Sequence, residues 1–338
     1  MTKNLFLFLG STLLVLGCET SRGVDFGGRR LPVVDIHLHP GDWEAVPKDT
    51  RTFIGSRFPF PFNLDPKTTA EGILSAEGIV AELDKAGISQ AVLYAVYAPR
   101  TVGVADNERV ASDTAKYPDR LFGLASLRLD TFRLDRDAEL VRLRAALSIP
   151  SMIGIKLAHA HQHFRMDDPA YFGIYQVAAE MKKPVYLHTG SSPFPGTASE
   201  PPYTNPLYLE KAIQTYPGTV FILGHIGYDF IDHTLGAFEQ CVRLAASYPN
   251  VYLEPSALGS KGSDPTGENL KTVMRRMREA GLTDRIIYGS DGPQSPGFVK
   301  DYLQRTAAAM KNAGYTEAEA EAVFSQNFAR VFGVAQPR

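Results

Sequence analysis

Two cysteines in 338 residues leave no disulfide framework to propose. Positive charge is not in excess either: 35 Lys and Arg stand against 37 Asp and Glu, a formal net charge of −2. Neither that balance nor any basic run argues for nucleic acid as a partner. The longest apolar run, at residues 5–16, is shorter than the roughly 20 residues that span a bilayer. No Gly-rich phosphate-binding turn follows the first strand-like run, which weighs against a dinucleotide-binding fold.

What the chain does have starts at its N-terminus. Lys3, the apolar stretch Leu5–Leu16 and Gly17-Cys18 follow the order of an export signal. Val15-Leu16-Gly17-Cys18 resembles the lipobox of bacterial lipoproteins, in which cleavage precedes a cysteine that is then lipidated. Residues 1–17 are expected to be a signal peptide and Cys18 the lipidation site. Residues 18–30, polar and Gly-rich, are expected to form a tether, and residues 31–338 one domain. The chain is then expected to be an exported protein, lipid-anchored to the cell envelope, at the outer membrane or periplasmic face if the cell is Gram-negative. Cys241, in the helix-like stretch 237–247, reads as a small buried apolar residue.

Hydrophobic content of 44% suits a sizeable core. From residue 31, short apolar runs alternate with amphipathic ones. Strand-like runs fall at 33–37, 90–96, 121–127, 152–157, 184–188, 219–223, 250–253 and 285–288. Helical patterns lie between them, for instance 76–86, stopped by Gly87, and 169–181, with Asp168 as cap and Pro169 at its first position. Residues 43–67 read as a long Pro- and aromatic-rich connection. Eight strand–helix repeats predict a one-domain (β/α)8 TIM barrel, with a doubly wound open sheet as the alternative.

The stretch Asp35-Ile36-His37-Leu38-His39 carries the first chemistry. Residues two apart on a strand share a face, so His37 and His39 form half of a metal site. Alone, the pair has the weight of any short motif. Lys156, His188, His225 and Asp291 then end later strand-like runs. In a barrel the C-terminal strand ends form the active site, so these residues converge. His159, His161 and His163 follow the fourth strand; one or two are expected to line the pocket, and the rest to be solvated. His233 reads as structural at a helix start. The aromatics between Phe53 and Phe62 either form an apolar lid or pack the connection against the rim.

Taken together, Asp35–His39, Gly154-Ile155-Lys156-Leu157, Pro184–Gly190, Gly224-His225-Ile226-Gly227, Asn250–Leu253, Tyr288–Pro293 and Asn327–Gly333 resemble the amidohydrolase superfamily. The resemblance is to the amidohydrolase-related branch that includes aminocarboxymuconate semialdehyde decarboxylase, and it runs from about residue 32 to 334. It implies one divalent metal ion, usually zinc, on His37, His39, His188 and Asp291. His225 is then a catalytic acid/base or a ligand of a second metal. Lys156 has three readings: a carboxylated lysine bridging two metals, a cation that holds a substrate carboxylate or supports a ligand, or a structural salt bridge. Asp291 accepts a water proton, and Asp35 orients a ligand or bonds backbone.

Bound zinc lowers the pKa of its water from about 15.7 towards 7. The first functional expectation is therefore hydrolysis of an ester, lactone or amide of a small molecule. The alternative is a metal-dependent non-oxidative decarboxylase or hydratase of an unsaturated or aromatic carboxylate. A non-catalytic binding lipoprotein is the third, opposed by the intact ligand set.

Overall fold

The computed structural model describes residues 22–337; Cys18 and the expected signal peptide lie outside them. Among the described residues no helix is long and apolar enough to cross a membrane.

Seven strands form one parallel sheet in chain order: β1 (Val34–Leu38), β2 (Gln90–Tyr94), β3 (Leu121–Ala125), β4 (Met152–Leu157), β5 (Val185–His188), β6 (Phe221–Gly224) and β7 (Val251–Glu254). All seven are almost wholly buried, as parallel strands covered by helices must be. Between β7 and β1 the ring closes through residues 286–292. Ile287 N–H donates to Leu253 O at 2.9 Å, Ile36 N–H to Tyr288 O at 3.1 Å and His39 N–H to Gly292 O at 2.8 Å. The fold is the (β/α)8 barrel. Its eighth position, expected as a regular strand at 285–288, carries only single bridges from Ile286 and Gly292. Tyr288 N–H instead bonds Val323 O of the C-terminal helical segment, which takes the donor a ladder would use.

Two bulges set the aim of the strands. Asp35 pairs with Ala91 but Leu38 with Leu93, so β1 holds one extra residue just where His37 sits. Gly123 pairs with Met152 and Leu124 with Gly154, so β4 holds another, upstream of Lys156. Such bulges redirect side chains next to active sites. Along β5–β7 the pleat is regular: Tyr186, Ile222 and Tyr252 share one row, and His188, Gly224 and Glu254 the next. The first row joins an apolar cluster closed by Phe328 of the last helix.

Helix ends follow local chemistry. The helix Ala76–Ala86 starts where the Ser75 hydroxyl accepts Gly78 N–H at 3.0 Å and stops at left-handed Gly87. Two stretches expected to be irregular are not. Residues 24–30 of the expected tether belong to a hairpin, Val24–Phe26 with Arg29–Leu31, turned by Gly27 and Gly28 at positive φ. Its Phe26 and Leu31 are buried in the main core. The connection 43–67 folds as Trp43–Ala45, Lys48–Gly55 and Phe62–Leu64, followed by the helix Pro66–Leu74. Trp43, Phe58, Ala70 and Ile73 give it a small core of its own, so its aromatics pay the entropy of ordering through burial.

Candidate metal centre

His37 Nε2, His39 Nε2 and Asp291 Oδ1 converge above β1. The two nitrogens are 3.0 Å apart and lie 3.0 and 3.1 Å from the carboxylate oxygen. His188 lines the same cavity, and its Nε2 is buried with no hydrogen-bond partner. A buried polar atom left so costs about 1–3 kcal/mol. Three imidazole nitrogens and a carboxylate oxygen, one nitrogen orphaned, fit a divalent cation.

Behind these donors lies a carboxylate absent from the sequence reading. Glu254, fully buried at the end of β7, sits 3.2 Å from His37 Nδ1 and accepts the Tyr186 and Ser256 hydroxyls at 3.0 and 2.7 Å. With those hydroxyls committed, the network assigns the His37 Nδ1 proton to Glu254. That directs the Nε2 lone pair at the centre, the usual second partner of a metal-ligating histidine. The signal was present: Val251–Glu254 is an apolar run ending in an acid, just before Pro255.

Asp35 does not point at the centre. Its Oδ1 accepts His37 N–H at 3.0 Å and Ser290 N–H at 2.9 Å, tying β1 to the closing segment. Burial raises its pKa to about 6.

The charges follow from burial and neighbours. Burial disfavours a charged His37, but the Asp291 and Glu254 carboxylates outweigh it and raise its pKa. Burial would likewise raise Asp291, yet His37 and the hydrogen bond from it hold that carboxyl well below its usual range. Burial takes His39 and His225 down to about 4 and His188 well below 6.5, so these rings stay neutral, the form that binds metal.

His225 follows Gly224 at the end of β6, with Nδ1 3.0 Å from Ser256 Oγ. A Cβ on Gly224 would stand 1.8 Å from Tyr186 Oη, so glycine makes room for the phenol that reaches Glu254. His225, Ile226, Ala257 and Asp291, none of them glycine, all have positive φ between 46° and 67°. Such strain clusters where a site over-determines the backbone.

Lys156 is buried at the end of β4. Its Nζ lies 4.2 Å from the Tyr186 ring centroid and 4.8 Å from that of Tyr94. Among the described residues it makes no ion pair, while the Asp291 and Glu254 carboxylates act on it through charge from farther off. Burial lowers its pKa to about 7.

The three loop histidines separate. His161 lines the cavity, edge-on to His188 at 5.0 Å, with Nδ1 3.3 Å from Thr101 Oγ1. His163 is exposed and bonds Gly196 O. His159 is neither pocket-lining nor solvated: it is buried against Phe164, both ring nitrogens unpartnered. His233 does not begin a helix; that helix starts at Phe238, and His233 stands at the cavity mouth, with Nδ1 2.8 Å from Ser263 O. Phe53 and Phe58 line the cavity, while Phe60 is exposed.

The amidohydrolase family model matches residues 34–334, so the chain belongs to that family. No curated protein sequence matches the chain significantly. Among solved structures it is similar to an uncharacterised TIM-barrel protein from Bordetella bronchiseptica: TM-score 0.67, 20% identity, 90% of this chain and 99% of that one. It is similar also to 5-carboxyvanillate decarboxylase from Novosphingobium aromaticivorans, complexed with manganese and a nitrobenzoic acid: TM-score 0.62, 15% identity, 92% and 99% covered. A third is 2,6-dihydroxybenzoate decarboxylase from Rhizobium: TM-score 0.59, 17% identity, 90% and 99% covered. At these identities the likeness is one of fold.

Proposed function

We propose that the protein is a metal-dependent non-oxidative decarboxylase of an aryl or unsaturated carboxylate. Lys156 carries this reading. A buried amine that makes no ion pair among the described residues, in the cavity that holds His39, His188 and Asp291, is a receptor for a substrate carboxylate, whose charge would favour the ammonium form. The two decarboxylases of the same fold support it. The ester, lactone or amide hydrolysis expected from sequence becomes the reading that the assay tests against.

His37, His39, His188 and Asp291 would hold the divalent ion, which when bound withdraws electron density from substrate oxygens. Lys156 binds and orients the carboxylate. A proton is added to the carbon that bears it, the bond to the carboxyl carbon breaks, and its electron pair returns to the organic fragment as CO2 leaves. The reaction consumes one proton and no other co-reactant. His225, anchored at Nδ1 by Ser256 and facing the cavity, is placed to relay that proton from solvent.

The test is CO2 release from hydroxybenzoates by protein loaded with zinc or manganese, with bound metal counted by elemental analysis. Release equal to carboxylate consumed is expected. Lys156→Met should raise KM by about 10- to 100-fold, as loss of a charge-assisted hydrogen bond predicts. Cleavage of an aryl ester or lactone without CO2 release would return the reading to hydrolysis. Two ions per chain, one lost with Lys156, would favour the carboxylated bridge. Export and lipid anchoring through Cys18 are carried as a separate proposal. Cys18→Ser should move the protein out of the membrane fraction, and retention there would refute it.

A further inference from the structure

The cavity above the metal centre is larger than one aromatic carboxylate needs. It measures about 420 Å³. Even at the roughly 30 Å³ that a whole water molecule occupies, the nine heavy atoms of a benzoate fill about 270 Å³. Lys156, His188 and Asp291 line the cavity, and so does an apolar wall of Trp43, Phe53, Phe58, Ala70, Ile73 and Leu74. That wall belongs to the folded connection after β1 and to the helix Pro66–Leu74. Arg57 stacks over Phe53 at 3.4 Å and is exposed at the rim, the only charge this connection adds to the cavity.

Apolar residues that only fixed the connection to the barrel would close on one another to interior density. Here Trp43, Phe58, Ala70 and Ile73 form a buried cluster and still face open cavity. We infer that this wing is a binding subsite for an apolar tail, so that the substrate is an aromatic carboxylate bearing an alkyl or aryl substituent of several carbons. The carboxylate is held at Lys156, which rests on the proposed function; the tail lies against the Trp43 wall. Ala70, almost fully buried, forms part of that wall.

The chain supplies its own probe, because Trp43 is the single tryptophan. Metal-loaded protein is titrated with 3- and 4-n-alkylbenzoates of increasing chain length, following Trp43 emission, with calorimetry as an independent measure of binding. In at least one series each added methylene should tighten Kd roughly fourfold until the wing is full, with a growing change in Trp43 emission. Ala70→Leu should bring the ratio of short- to long-chain Kd towards one. Kd values independent of chain length in both series would overturn the subsite. So would calorimetric binding of the long acids that leaves Trp43 emission unmoved. No turnover enters the measurement, so an absence of CO2 release elsewhere sinks the decarboxylase reading and not the subsite.

Discussion

Asp291→Asn is expected to leave a folded barrel that retains less than about a tenth of its metal and loses about a thousandfold or more in kcat/KM. The magnitude follows from the several kcal/mol of charge stabilisation a bound metal supplies. One oxygen of Asp291 stands within 3.1 Å of both His37 Nε2 and His39 Nε2, and the other accepts Gln294 Nε2–H at 2.8 Å. An amide in its place offers no negative charge and turns either its weaker oxygen or an N–H towards the imidazoles. The variant should also lose the rise in melting temperature that metal gives the wild type, since stabilisation by a ligand scales with its affinity. Metal content and turnover equal to wild type would remove Asp291 from the centre.

Gly289→Ala is expected to act nearly as strongly without touching a ligand. A Cβ at this position would lie 1.9 Å from Glu254 Oε1 and 2.9 Å from His37 Cβ. Both neighbours are fully buried, so neither can swing into solvent. Displacing Glu254 deprives His37 Nδ1 and the Tyr186 and Ser256 hydroxyls of their shared acceptor. At about 1–3 kcal/mol for each of these three buried groups left unpaired, the metal-free protein should lose about 3–9 kcal/mol. Metal affinity should fall about 10- to 100-fold, as it does when the outer partner of a ligating histidine is lost. Urea denaturation and metal titration read the two effects separately. An alanine tolerated in both would mean that Glu254 does not orient His37.

Much of this was legible in the chain because parallel barrels write their chemistry at strand ends. Lys156, His188, His225 and Asp291 each close an apolar run, and the family resemblance tied them to His37 and His39. The helix 76–86 was readable from its amphipathic pattern and its stop at Gly87. Other features depend on partners far away in sequence. The bulges in β1 and β4 exist only relative to β2 and β3. The eighth position looks like a strand, but its backbone is claimed by Val323. The hairpin at 24–31 was hidden by its Gly27-Gly28 turn, which in isolation resembles linker. Glu254 sits one residue past the run read as a strand, and the donors that define its role arrive from β1, β5 and the segment after β7.

The weakly bridged seam at residues 286–292 would give a metal held by the proposed ligands a mechanical role as well as a chemical one. His39 and Asp291 are separated by 252 positions in sequence, and each belongs to one lip of that seam. An ion gripped by both is a rivet across nearly the whole polymer. In a disulfide, linking ends that far apart removes about 5.5 kcal/mol of freedom from the unfolded chain in the chain-entropy model. The hoop and the proposed centre would thus share one fastening, and pulling the ion out would loosen the architecture at the point where the chemistry is proposed.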